Sequence, residues 1–155
     1  MGGWDETLIC WQDYDIHLRS LILGIPHSVH WLTDFYIRRD PSSKENIHSK
    51  NSSPEHLRAR TKLLRKLYTM IRSSEVDSAY VQWLMTDAFL ALAREWVYRR
   101  ADRNEALSVW KQVYEEGIIS KVQYYEGAFG LQYLEARRGL TRPFHAYLKL
   151  RWRHQ

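Results

Sequence analysis

The side chains able to do chemistry are few and scattered along these 155 residues. Cys10 is the single cysteine. A thiol nucleophile needs a base beside it and a lowered pKa. Nothing adjacent in the sequence supplies one, so Cys10 reads as a small buried apolar group. His27, His30 and Asp34 are spaced by three and four, which on a helix would gather them on one face and suit a divalent metal. His27, however, precedes Ser28, the residue placed to cap that helix, and no metal is expected. Glu115 with Glu116, and Asp13 with Asp15, are acid pairs. Carboxylates act as general acid and base only where two converge across a cleft, so these read as solvated surface. No phosphate-cradling glycine loop, dinucleotide fingerprint, nucleophile elbow or paired-cysteine zinc motif occurs. The expectation is a binding protein rather than an enzyme, with no cofactor.

Two basic sets offer a binding surface instead. At 100° per residue, Arg58, Lys62, Arg65, Lys66 and Arg72 fall on one side of a helix whose other side carries Leu57, Leu64, Leu67, Tyr68 and Ile71. Such a stripe suits a phosphate backbone or an acidic protein groove. Arg60 falls within the apolar side, and the pattern offers no reason for it. The second set is Arg137, Arg138, Arg142, Lys149, Arg151 and Arg153 near the C-terminus. Trp152, between two arginines, is placed to stack on a base or fill a hydrophobic socket.

The elements that must position these groups are helices. Residues 5–23 form a first helix, stopped by Gly24-Ile25-Pro26, and Ser28 opens a short second one to residues 35–37. Residues 40–53 hold one apolar side chain and read as a mobile polar linker. After it, Ser53 caps and Pro54 begins the helix of the basic stripe. Ser74 with Asp77 resembles a capping box for a long helix to about residue 100. That helix is apolar on nearly all sides, Trp83 and Leu84 included, and so is expected to be central and buried. A helix over 105–116 ends at Gly117, another opens at Ser120, and a last one starts near Thr141 and Pro143. Gly127 and Gly130 inside the penultimate helix are placed to let a neighbour approach closely. The fold class is therefore all-α: a compact bundle of about five helices over 54–153, preceded by two short helices and the linker. Three regions follow, at 1–39, 40–53 and 54–155, with the last expected to fold alone.

Composition agrees. One domain of this length buries a core without staples, and 7 Trp and 10 Tyr supply much of its area. The 7 Gly and 4 Pro are too few for a turn-rich sandwich. No run approaches the roughly 18 apolar residues of a membrane span. A lone cysteine and the absence of a secretory signal point to a reducing compartment. The net charge of +5 is uneven: residues 1–40 carry six acids and three bases, and residues 41–155 twelve acids and twenty bases. A basic body favours an acidic partner.

From residue 80 the chain resembles the C proteins of paramyxoviruses, most nearly the henipavirus type. The likeness lies in the order and spacing of Gln82-Trp83-Leu84 and Thr86, then Glu116-Gly117-Ile118-Ile119 and Gln123. Gly130, Tyr133-Leu134 and Arg137 follow, and then Pro143 with Tyr147-Leu148-Lys149-Leu150. It covers about residues 80–150, while the acidic, Trp-bearing N-terminus departs from the polar, basic start of that family. The resemblance implies a non-enzymatic viral accessory protein in the host cytoplasm. Such proteins counteract interferon signalling by binding a STAT-like factor and restrain viral RNA synthesis through the polymerase complex. A basic helical nucleic-acid-binding protein is the alternative.

Overall fold

A computed structural model describes residues 3–28, 53–100, 102–134 and 138–153 of the chain. These form six α-helices and one π-helical turn, with no strand among the described residues: α1 Gln12–Ile22, α2 Pro54–Arg72, α3 Ala79–Arg100, α4 Arg103–Glu115, α5 Lys121–Phe129, the π turn Gly130–Leu134, and α6 Arg138–Trp152. The chain is all-α, as its periodicity indicates. The expected second helix and the polar linker lie outside the described residues.

Local chemistry sets most helix ends. Ser53 Oγ accepts a hydrogen bond from the His56 amide at 3.3 Å, and Pro54 spends its missing N–H at the first helical position. Asp102 caps α4 through the Glu105 amide at 2.9 Å. Ser120 and Gln123 form a reciprocal capping box on α5. Gly117 closes α4 with a φ of 71°, which an L side chain would strain.

Other ends depart from expectation. α1 starts at Gln12 rather than near residue 5, because Asp5 folds the preceding residues into a turn, accepting from the Thr7 amide at 3.1 Å and hydroxyl at 2.7 Å. The cap of α3 is Ser78, whose Oγ accepts from the Val81 amide at 3.3 Å. The expected pair Ser74 and Asp77 does not serve, since Asp77 is drawn off by Arg72 at 2.8 Å and by Gln82. α6 begins at Arg138, earlier than the expected 141, and takes Pro143 into its interior.

α3 is the central helix and packs against α2, α4 and the π turn. Phe89, Leu90, Leu92, Ala93, Trp96 and Val97 are buried on it, but Tyr80, Leu84 and Tyr98 are exposed and Trp83 is half-buried. It is therefore apolar on all sides without being buried on all sides, because among the described residues no helix covers the outer side of Tyr80 and Leu84 in its first turns. The centre of the α4–α6 end is Trp110, wholly buried, stacked on Trp152 at 6.2 Å and donating Nε1–H to the Tyr124 carbonyl at 2.9 Å. Gly127 makes this possible, because a Cβ there would stand 2.5 Å from the Trp110 ring. At Gly130 it would meet Phe144 at 2.9 Å. No described helix is long and apolar enough to cross a membrane.

Candidate interaction surfaces

The basic stripe on α2 is a set of ion pairs rather than an open cationic face. Arg65 donates to Glu116 at 2.8 Å and to Gln112 at 2.9 Å. Arg58 lies 5.6 Å from the Trp96 ring centroid and 3.5 Å from Glu105. Arg72 pairs with Asp77 at 2.8 Å. Lys66 reaches Asp5 at 2.6 Å and Asp15 at 3.1 Å. Lys62 is exposed and makes no ion pair among the described residues. Four of the five thus meet acids, Asp77 five residues on and the others from more distant parts of the chain, although Arg58 and Arg72 keep more than half of their side-chain surface exposed.

Lys66 belongs to a buried network. Asp15 is fully buried, held by Arg19 one turn on at 2.7 Å and by Lys66 from α2. Burial pulls the Lys66 ammonium down, but Asp5 and Asp15 together outweigh it and the net direction is up. Asp5 in turn is held well below the usual carboxylate range, first by Lys66 and then by Thr7. Arg60, unexplained by pattern, is buried beside this network. Its Nη2 donates to Glu95 at 2.9 Å and Nη1 at 3.3 Å, and its guanidinium lies 4.9 Å from the Trp11 ring centroid. Trp11 takes a left-handed backbone, φ 60°, to present that ring.

This network turns α1 inside out. The residues α1 buries are Asp15, Arg19 and Ser20. On the opposite side Tyr14, Leu18 and Leu21, spaced four and three, are 37–56% exposed, and Ile25 just past the helix end is exposed too. That the polar side of α1 faces inward follows from Lys66 and Asp5, partners 61 residues apart.

The C-terminal set divides as well. Trp152 is buried in the core and donates to Glu126 at 2.7 Å, so the reading of it as a free stacking or socket residue is corrected. The Trp110 ring holds it inward. Arg151 pairs with Glu126 at 2.7 Å and donates to the Tyr147 hydroxyl at 3.1 Å. Lys149 pairs with Asp87 at 2.8 Å, while Arg153 is exposed. Arg137 lies outside the described residues, and of Arg138 and Arg142 only the helical backbone is described. Beside these bases lies a set of exposed aromatic rings. Tyr125, Phe129, Tyr133 and Tyr147 are 49–60% exposed. Phe129 lies 5.2 Å from Tyr133 and 6.0 Å from Phe144, which lies 6.2 Å from Tyr147.

Candidate reactive groups find structural uses. Cys10 is buried, its thiol pushed up by burial against the pull of Arg60, and it donates to the His56 carbonyl at 3.7 Å. His27 is exposed with Nε2 2.9 Å from Ser20 Oγ, and its supposed co-ligands His30 and Asp34 lie outside the described residues. No cluster of three metal-ligating side chains occurs among the described residues. Arg94 donates to His145 Nδ1 at 2.9 Å, leaving Nε2 as the protonated nitrogen. His145 lines a cavity of about 10 Å³ with Leu90, Gly130 and Phe144, room for about one water. Burial first, then the Arg94 charge, pushes its pKa down to about 4. Searches against family models, characterised proteins and solved structures find no match to this chain.

Proposed function

We propose that this chain is a non-enzymatic viral accessory protein of the paramyxovirus C type that works by protein–protein contact in the host cytoplasm. In this reading it holds a STAT-like signalling factor to blunt interferon responses and restrains the viral polymerase complex. One observation carries the protein-binding part: the outward apolar stripe Tyr14, Leu18 and Leu21 on α1, with exposed Ile25 just past the helix end. A narrow stripe with four-three spacing fits a single amphipathic partner helix. Burying each such side chain contributes about 1.5–3 kcal/mol. The exposed acid Asp13 beside Tyr14 disfavours a nucleic acid there. The family part rests on the ordered residues between Gln82 and Leu150 and on their helical character.

The test is the double variant Leu18→Asp/Leu21→Asp in an interferon-responsive reporter assay, paired with co-precipitation of STAT proteins. Both side chains are exposed, so the helical spectrum and melt should stay near wild type. Reporter output should recover and co-precipitation should fall at least tenfold. A variant that suppresses signalling as well as wild type would remove α1 as the interface. A wild-type chain with no effect on the reporter would remove the interferon reading itself. The genomic position tests the family part separately: this frame should lie inside a longer one encoding an acidic, disordered phosphoprotein.

A further inference from the structure

We propose that the surface formed by α5, the π turn and α6 binds single-stranded nucleic acid, with exposed aromatic rings stacking bases and flanking cations holding phosphates. Two independent observations converge on it. The first is the set of half-exposed rings: Phe129, Tyr133 and Tyr147 are linked through Phe144, and Tyr125 stands one helical turn before Phe129 on α5. Four half-exposed rings present on the order of 400 Å² of aromatic surface, as much as the largest apolar patch of a typical monomer. Along the π turn Leu131 enters the core and Tyr133 stays outside, where a ring so exposed adds little to the hydrophobic interior.

The second observation is charge. Residues 121–153 carry seven bases and two acids, a balance of +5, which equals that of the whole chain. The remaining acids and bases cancel, and the structure places many of them in pairs. Among the described side chains of this unit, Lys121 stands one turn before Tyr125 and Arg153 closes α6, both exposed and without an ion pair. Arg151 touches the Tyr147 hydroxyl, so a guanidinium already borders the ring row. Rings alone would suit a protein helix as well, and cations alone would suit any polyanion. Rings bordered by cations are the pattern of single-strand binding, where each stacked base is worth enough to change affinity about tenfold. The α2 stripe lacks this pattern, since α2 exposes no large aromatic ring beside its cations. The α1 stripe lacks it too, since its nearby free charges are acidic.

The experiment is fluorescence anisotropy of the full chain with a labelled single-stranded RNA of about twelve nucleotides, and with its duplex, across a salt series. The single strand should bind at least tenfold more tightly than the duplex. Tyr125→Leu/Tyr133→Leu, which keeps apolar area but removes the rings, should weaken binding tenfold or more. Tyr125→Phe/Tyr133→Phe should stay within twofold of wild type. Lys121→Gln/Arg153→Gln should lower the slope of log affinity against log salt by about one to two. Circular dichroism melts establish that each variant is folded. Should the leucine variant unfold, photocrosslinking of thiouridine-bearing RNA to the wild-type chain replaces it, with Tyr125 and Tyr133 the expected attachment sites. Absence of binding at low salt, equal affinity for duplex, or unchanged affinity in the leucine variant would each overturn the proposal. A poly-glutamate peptide that competes as well as RNA would reassign the face to acidic proteins.

Discussion

Lys62 and Lys66 stand one helical turn apart on α2 and have the same chemistry, yet their surroundings separate them. Lys66 closes a network around Asp15, a carboxylate with no exposure to water. Removing its ammonium leaves that carboxylate with Arg19 alone, at a cost of about 1.5–3 kcal/mol. Lys62 contributes within about 0.5 kcal/mol, as surface residues do. Urea unfolding of Lys66→Ala should therefore show a clear drop in midpoint, and Lys62→Ala almost none. His145 makes a second case at this scale. The folded chain holds it neutral with a pKa near 4, among Arg94, Asp87 and Lys149, whereas the unfolded chain takes up a proton near 6.5. The unfolded state then binds more protons on acidification. Stability falls as pH drops from about 6.5 towards 4, with no contribution above that window. Melting temperature of His145→Asn, which retains an acceptor for Arg94, should fall less steeply across this range than that of wild type.

Among the helices, burial follows what packs across from a side chain rather than its own hydrophobicity. Trp83 and Trp110 show this. Trp83, on the central helix, is half-buried and gives its N–H to the Lys149 carbonyl at 3.1 Å, so it pins α6 to α3 from the side. Trp110, on the shorter α4, is fully enclosed between Gly127 and Trp152. Trp110→Ala should cost about 3–5 kcal/mol, a large share of the stability of one domain. Trp83→Ala should cost about half as much and release mainly α6. Thermal melts rank the two, and hydrogen exchange should show faster exchange confined to α6 in the Trp83 variant.

At the scale of the molecule, the N-terminal segment is tied to α2. Leu8 joins the hydrophobic core, Trp11 lies under Arg60, and Asp5 and Asp15 hold Lys66. A fragment of residues 53–155 should keep its helical spectrum, because α2 to α5 carry their own caps and α2 to α6 hold most of the core. It should melt at lower temperature than the full chain, because it exposes the surface Leu8 covers and leaves Lys66 unpaired. A fragment as stable as the full chain would show that these contacts contribute nothing net, the result expected if their desolvation cost cancels their attraction.

The sequence by itself determined the helical class, the caps at Ser53 and Ser120 and the stop at Gly117, and the need for small residues at Gly127 and Gly130; the Asp102 cap, equally local, emerged with the structure. Those features are local: a cap is completed within three residues, and a glycine turn within one. Which faces remain free was decided only by tertiary structure. Arg60 meets Glu95 across 35 residues, Arg65 meets Glu116 across 51, and Lys66 meets Asp5 across 61. A helical wheel places a base opposite an apolar stripe without knowing which acid the fold will bring to it. For that reason the legible basic stripe on α2 became a set of internal pairs. Trp152 became core, α1 turned its apolar side outward, and the rings of α5 and α6 were left on the surface.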